Sequence, residues 1–362
     1  MLSELGPFFR RFAEVEAPHS PLYQSICRAV ADAPDVASML NVAPAMERRP
    51  NLLLAAVHSI LLQRNAPQST EEHALRCFYP TVVHAPSLDS DPAGQAFVTF
   101  CRSATKELAP LLATRSTQTN EVGRSSILWP VLSTLGSEVG PLHLVEVGAS
   151  AGLNLVLDRW AYCDSNGELL SGGDPASAVR LRATHYGVRP GNEVLAITSR
   201  VGLDRNPIDV TNPDAARWLL ACMWPDELDR FRRTEQAIAV AALAPPLIRQ
   251  GDAVDDLLPL TNTVGTGHLT IVTTWVLTYL LPQARTAFVT KLDQLGATRD
   301  LTWVFAESSM YSPELPWPTD SSAMAQNGET LVVEVQYRSG TRTTTTRAIA
   351  HPHGRHIRWQ TT

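Results

Sequence analysis

Glu146, Gly148, Ser150 and Gly152 recur at two-residue intervals in the stretch Leu142 to Tyr162, LHLVEVGASAGLNLVLDRWAY. Small residues let a backbone approach a ligand closely. The apolar run Leu142 to Val147 before them is long enough for one buried strand, and Leu153, Leu155, Val156 and Trp160 after them recur at helical spacing. Strand, tight turn and helix make the first half of a nucleotide-binding βαβ unit, whose helix N-terminus offers unpaired N–H groups. Glu146 narrows the ligand. An acid at the strand's end repels a pyrophosphate and suits an ammonium or ribose hydroxyls. A turn that merely packs a helix onto a sheet would carry the same small residues.

A second polar constellation precedes this strand. Thr114 to Ser126, TRSTQTNEVGRSS, places Gln118, Thr119, Asn120, Glu121 and Arg124 between two apolar segments. Donors and acceptors at almost every position suit a pocket lining or a gate. Thr119 and Glu121 capping a helix over Val122 to Leu135 explain the run equally well. His351, His353 and His356 sit in HPHGRH, where Pro352 and Gly354 are turn chemistry, and no nearby acid or Cys completes a metal set. No metal site is expected. His58, inside the apolar run Asn51 to Leu62, reads as a core histidine.

The elements that must position these groups follow from periodicity. The chain to about residue 113 is helical: Leu2, Leu5, Phe8, Phe9 and Phe12 form one face, Leu22, Ile26 and Val30 another, and Asn51 to Leu62 a buried helix. Residues 114–362 read as an α/β domain. Val179 to Tyr186 and Glu193 to Asp204 are extended, with a hairpin inserted over about 162–190. Asp214 to Leu243 is a helix interrupted at Trp224-Pro225. Short strands are expected before Gly251-Asp252-Ala253 and within His268 to Leu281, with Thr273, Thr274 and Trp275 at the end of the latter strand and Tyr279 beyond it. A helix over Arg285 to Leu295, a strand over Leu301 to Ala306 with Glu307 at its tip, a Pro-rich loop over Tyr311 to Asn327 and a terminal hairpin around Ser339-Gly340 complete the set.

Bulk properties exclude several classes. The 362 residues carry a formal charge of −6 without a strong Lys/Arg cluster, which disfavours nucleic acid. No secretory or transmembrane segment is evident, so neither membrane nor export is expected. Five cysteines without a CxxC point to reduced thiols in a cytoplasm.

Glu146-x-Gly148-x-Ser150-x-Gly152 resembles the first motif of class I S-adenosylmethionine (SAM) enzymes, E/D-x-G-x-G-x-G, with Ser150 in place of the middle glycine. The resemblance implies that a second strand ends in an acid for the ribose hydroxyls (Asp204, with Asp209 as rival) and a third in one for the adenine amino group (Asp252, beside Ala253). RRPNLLLAAVH, TRSTQTNEVGR, LVEVGASAGLNLVLDR, GLDRNPIDV with RWLLACMWPDE, and PHGR resemble the bacterial DUF2332 family over nearly the whole chain. The implied fold is a Rossmann-like class I SAM-methyltransferase sheet, parallel with an antiparallel C-terminal hairpin, under a helical N-terminal lid. Sequences of this type are also associated with conversion of SAM into azetidine-2-carboxylate. The expected activity is alkyl transfer from SAM to a small molecule, or cyclisation of SAM itself with release of methylthioadenosine. Asn120, Glu121, Asn154, Tyr162 and Tyr186 are the candidates for catalysis. Gln118, Thr119, Arg124, Glu146, Gly148, Ser150, Gly152, Asp204, Asp252, Ala253, Thr274 and Trp275 are the candidates for holding SAM. A non-catalytic SAM or nucleotide sensor is the alternative; a nicotinamide oxidoreductase is disfavoured by Glu146 and the terminal hairpin.

Overall fold

Three largely apolar strands of the chain are buried almost throughout, and they form the middle of a nine-stranded sheet. These are β1 (Leu142–Val147), β8 (His268–Thr274, buried from its second residue) and β9 (Leu301–Glu307). Runs of this kind belong to strands covered on both faces. A computed structural model describes residues 5–191, 194–262, 267–319 and 328–360. Its other strands are β2 (Ala161–Cys163), β3 (Leu169–Gly173), β4 (Arg180–Arg182), β5 (Thr184–Tyr186), β6 (Ile197–Asp204), β7 (Ile248–Gln250), β10 (Thr330–Arg338), β11 (Thr341–Ala350) and β12 (His356–Trp359). The large sheet runs β5-β12-β11-β10-β9-β8-β1-β6-β7. From β9 through β7 every pairing is parallel, whereas β9, β10, β11 and β12 are successively antiparallel. The fold is mixed α/β around a large, mostly parallel sheet.

The chain divides into two compact units, residues 1–119 with 212–235, and residues 120–211 with 236–362. The first is helical. It contains α1 (Gly6–Arg11), α2 (Pro21–Ala31), α3 (Pro34–Ala37), α4 (Pro50–Gln63), α5 (Thr70–Arg76), α6 (Ala93–Ser103) and α7 (Thr105–Thr114). Proline starts α2, α3 and α4, where its missing N–H costs nothing. His58, on the apolar α4, is wholly buried, its ring nitrogens bonded to Ala221 O and Thr81 Oγ1. The second unit holds both sheets, with α8 (Ser125–Val139) ahead of β1. Helix α9 (Pro213–Ala221) belongs to the first unit, capped by Asn212, whose Oδ1 accepts from the N–H groups of Asp214 and Ala215. Its Trp218 joins the core built by the N-terminal helices. The chain passes from the first unit to the second within α10 (Leu228–Leu243). The break at Trp224-Pro225 stands between α9 and α10, as the proline requires. Helices α11 (Leu257–Asn262) and α12 (Pro282–Gly296) complete the second unit.

Two local expectations are corrected. No α-helix follows the glycine turn; residues 153–156 are turn and Leu157–Arg159 a single 3₁₀ turn. Every residue from Ala149 to Leu157 is buried, so there is no solvent-facing stripe for an amphipathic helix to present. The backbone carbonyls are satisfied instead by side chains: Leu153 O by Trp160 Nε1 (3.2 Å), Leu155 O by Arg200 Nη1 (2.9 Å) and Leu157 O by the Tyr162 hydroxyl (2.7 Å). Val179 to Tyr186 is two strands rather than one. β4 joins a small sheet, β3-β2-β4, while β5 becomes the outer edge of the large one. Leu2, Glu193 and the 320–327 part of the proline-rich loop lie outside the described residues. Among those residues no helix is long and apolar enough to cross a membrane.

Candidate functional site

β1 lies between β6 and β8, and the chain runs outward in opposite senses on its two sides, to β7 one way and to β9 the other. In open parallel sheets a reversal of this kind leaves a crevice at the strands' carboxyl ends. Glu146 is the penultimate residue of β1 and is buried. Its Oε1 accepts a long bond from Asn154 Nδ2 (3.4 Å); among the described residues its Oε2 has no partner. Burial pushes this carboxyl up to about 8, against the Asn154 bond and the nearby Arg124 guanidinium; Asp204 adds to the rise. A buried carboxylate oxygen without a donor is costly, and a ligand that donates to it removes that cost.

The small-residue turn is held from both sides. Gly148 and Ala149 donate to Leu203 O, and Ser150 takes a left-handed φ of 53°. Asp204, the last residue of β6, fixes that conformation by accepting from Ser150 N (2.8 Å) and Asn206 N (2.8 Å). A Cβ on Gly148 would fall 2.3 Å from the Val276 side chain, and one on Gly152 would fall 2.6 Å from Pro246. The two glycines therefore admit protein side chains. Beyond the turn, Leu153 N donates to Asn120 Oδ1 (2.9 Å), and the Asn154 amide oxygen accepts from Ser125 Oγ (2.9 Å).

Arg124 ties the polar run to the strand tips. Its Nη1 donates to Thr274 O (2.9 Å), at the end of β8, and its Nε to Pro352 O (3.1 Å). Glu121 accepts from Gly123 N (2.9 Å), so it caps the turn that carries Arg124. A Cβ at Gly354 would fall 2.1 Å from Gly123 O, and one at Gly123 2.4 Å from His353 O. NEVGR and HPHGR thus dock on each other through their glycines. The His351 ring stands 5.2 Å from that of His353 and 5.3 Å from that of His356. Among the described residues no group of three or more His, Cys, Asp or Glu could hold a metal ion. Trp275, after β8, has φ 52° and donates from Nε1 to Thr330 Oγ1 (2.7 Å). Beside it Glu307, the last residue of β9, accepts from Val276 N and Leu277 N. Burial raises its carboxyl to about 7, against these N–H groups and Arg124.

Asn120, Glu121, Arg124, Glu146, Gly148, Ser150, Gly152, Asn154, Asp204, Thr274 and Trp275 therefore come together at the carboxyl ends of β1, β6 and β8, or in the segments bonded to them. Asp252 stands two residues beyond β7, one oxygen on Arg205 and the other on Val254 N; Ala253 beside it packs on the core. The Tyr162 ring lies 5.4 Å from that of Trp129, tilted by 32°, and burial pushes its phenol far up, opposed by Arg189 and then by a hydrogen bond with Ser125. Tyr186 is not brought to the site. It lies half-exposed on β5, six strands from β1, roughly 29 Å at about 4.8 Å per strand. Gln118 and Thr119 belong to the first unit, where the Gln118 backbone bonds the half-buried Cys222 thiol. Sequence reasoning missed Ser125 and the Pro352 carbonyl; the PHGR string was the only trace of the latter. An open cavity of about 270 Å³ near β12 is lined by Val131, Val188, Trp359 and Arg347, the last already paired with Glu334.

No curated protein and no solved structure matches this chain. A family model does, over residues 7–359. The chain therefore belongs to the family described as "Uncharacterized protein conserved in bacteria (DUF2332)".

Proposed function

We propose that the protein is an S-adenosylmethionine-dependent alkyl-transfer enzyme acting on a small molecule, with SAM across the tips of β1, β6 and β8. The observation that carries this reading is the unpartnered Oε2 of Glu146, buried at the sheet's reversal point beside a turn of small residues. The strand order β7-β6-β1-β8-β9 supports it, since it reads 3-2-1-4-5 as in nucleotide-binding α/β folds. The antiparallel strands that follow agree with a Rossmann-like methyltransferase sheet in hand, although here β10 itself pairs with β9.

The donor set fits a ligand bearing a cation. Glu146 accepts from an ammonium, and Asp204, partly exposed with both oxygens braced by backbone N–H groups, keeps lone pairs for ribose hydroxyls. The fit does not come through a glycine cradle, because side chains fill the space at Gly148 and Gly152. When bound, SAM supplies an electrophilic carbon on its sulfonium. The chain's contribution is positioning, which is worth up to about 7–11 kcal/mol when fully realised. Asn154, on the segment after the turn, and Asn120, which bonds that segment at Leu153 N, are the groups assigned to orient an attacking amine, whether that of an acceptor or of SAM itself.

Incubating the pure protein with SAM and reading products by mass spectrometry tests the reading. Methylthioadenosine without an added acceptor identifies cyclisation to azetidine-2-carboxylate. S-adenosylhomocysteine that appears only with an acceptor identifies methylation. Binding without turnover identifies a sensor and removes the enzyme. Glu146→Ala is expected to weaken SAM binding by about 1–3 kcal/mol; equal affinity in a folded variant excludes Glu146 from the site.

A further inference from the structure

We infer that Ser125 is a positioning residue for Glu146: its hydroxyl fixes the Asn154 amide so that the buried carboxyl is held as an acceptor, with one oxygen kept for the ligand. The inference deepens, and rests on, the reading of Glu146 as the group that takes the ligand's cation.

Ser125, Asn154 and Glu146 are each 2% exposed or less and form one chain of contacts: Ser125 Oγ to Asn154 Oδ1 at 2.9 Å, then Asn154 Nδ2 to Glu146 Oε1 at 3.4 Å. An amide side chain has an acceptor end and a donor end. The serine hydroxyl donates to the Asn154 oxygen, and the amide nitrogen faces the carboxyl. A donor suits the ionised acid and disfavours the protonated one. With Ser125 truncated, the amide is free to turn its oxygen to Glu146, and the protonated acid then becomes the donor. Either amide orientation would be available, and the neutral form of Glu146 would gain.

The other groups around this carboxyl do not perform the same task. Its neighbours across the sheet are Val272 on β8 and Gly202 on β6, neither of which titrates. The charges that act on it are Arg124, from the turn before α8, and Asp204, from the end of β6. Arg124 is itself held on Thr274 O and Pro352 O, and Asp204 on Ser150 N. Glu307, on β9, meets the same Arg124 but bonds the loop after β8. Ser125 is thus the group that bonds the oxygen end of Asn154 while its nitrogen faces Glu146.

The test follows the ionisation of Glu146 in the full-length protein by infrared difference titration, the band being identified by its loss in Glu146→Gln. In Ser125→Ala the midpoint is expected to rise by roughly half to one pH unit, the scale of one hydrogen bond. Ser125→Thr, which restores the hydroxyl, is expected to bring it back. The pH at which SAM affinity is half-maximal should move in the same direction. An unchanged midpoint in folded Ser125→Ala overturns the inference. If Ser125→Ala does not fold, Ser125→Cys keeps the shape with a weaker donor, and no rise there overturns it equally. Absence of SAM binding by the wild-type protein would refute the ligand reading alone, because the infrared titration needs no ligand.

Discussion

A carboxyl group sealed from water with half of its acceptors unused weakens the fold that holds it, and Glu146 is such a group. Its folded pKa, near 8, lies above the ordinary value of 4.5. The folded chain therefore binds the extra proton between those values, and the stability this contributes is complete below 4.5 and lost as pH rises through 8. Glu146→Gln cannot ionise. It is expected to unfold at a higher temperature than the wild type at pH 8.5, by an amount worth a few kcal/mol at about 1.4 kcal/mol per unit. The difference should shrink steadily as pH falls and vanish only below 4.5. Thermal melts of both proteins across that range check it; a variant no more stable at pH 8.5 would mean that a donor already meets the free oxygen. The same substitution should weaken SAM binding, so stability and ligand affinity are expected to move in opposite directions.

Among elements, the two loops carrying NEVGR and HPHGR are the ones most dependent on each other. Gly354 has φ 69° and leaves no room for a Cβ against Gly123 O. Gly354→Ala is expected to cost about 2 kcal/mol or more through strain and separation of the loops, and to loosen Arg124 from Pro352 O. Urea unfolding gives the first effect, and a lower SAM affinity than the stability loss explains gives the second. Much of the frame is legible without coordinates. β1, β8 and β9 announce themselves as continuous apolar runs, and β10 and β11 flank the Ser339-Gly340 turn. The segment after the glycine turn misleads because the spacing of Leu153, Leu155, Val156 and Trp160 is also what a fully buried coil presents. Side chains from β2 and β6 decide between the two by taking its carbonyls. Glu146, Gly148, Ser150 and Gly152 could be found because they are adjacent in the chain. Ser125 could not, since its meaning depends on Asn154, 29 positions away, and the Gly123–Gly354 contact spans a longer separation still.

For the molecule as a whole, buried histidines set the acid limit. Burial depresses His58 to about 4, and does the same for the buried His143 and the half-buried His185 and His268. The unfolded chain takes up these protons near 6.5, whereas the folded one does not until about 4. Stability is thus fully present above 6.5 and falls as pH drops toward 4. Urea midpoints should decline over that interval and decline less steeply in His58→Gln; parallel slopes would remove His58 from the account. The division of the chain gives a second expectation. Residues 212–235 belong with residues 1–119, and Trp218 completes the helical core. A truncated chain beginning at Asn120 is expected to expose the apolar face of α9 and to self-associate on size exclusion; a clean monomer would show that α9 is content without its core.

That interleaving also governs the order of events at the ribosome. The first 119 residues emerge well before α9 and the start of α10, which arrive only after residues 120–211 have been made. At about 5–20 residues per second, the nascent helical core stays open for seconds with its tryptophan wedge still unsynthesised. Chains stalled short of residue 212 should therefore be cut readily within the leading helices, and chains released past residue 235 should resist.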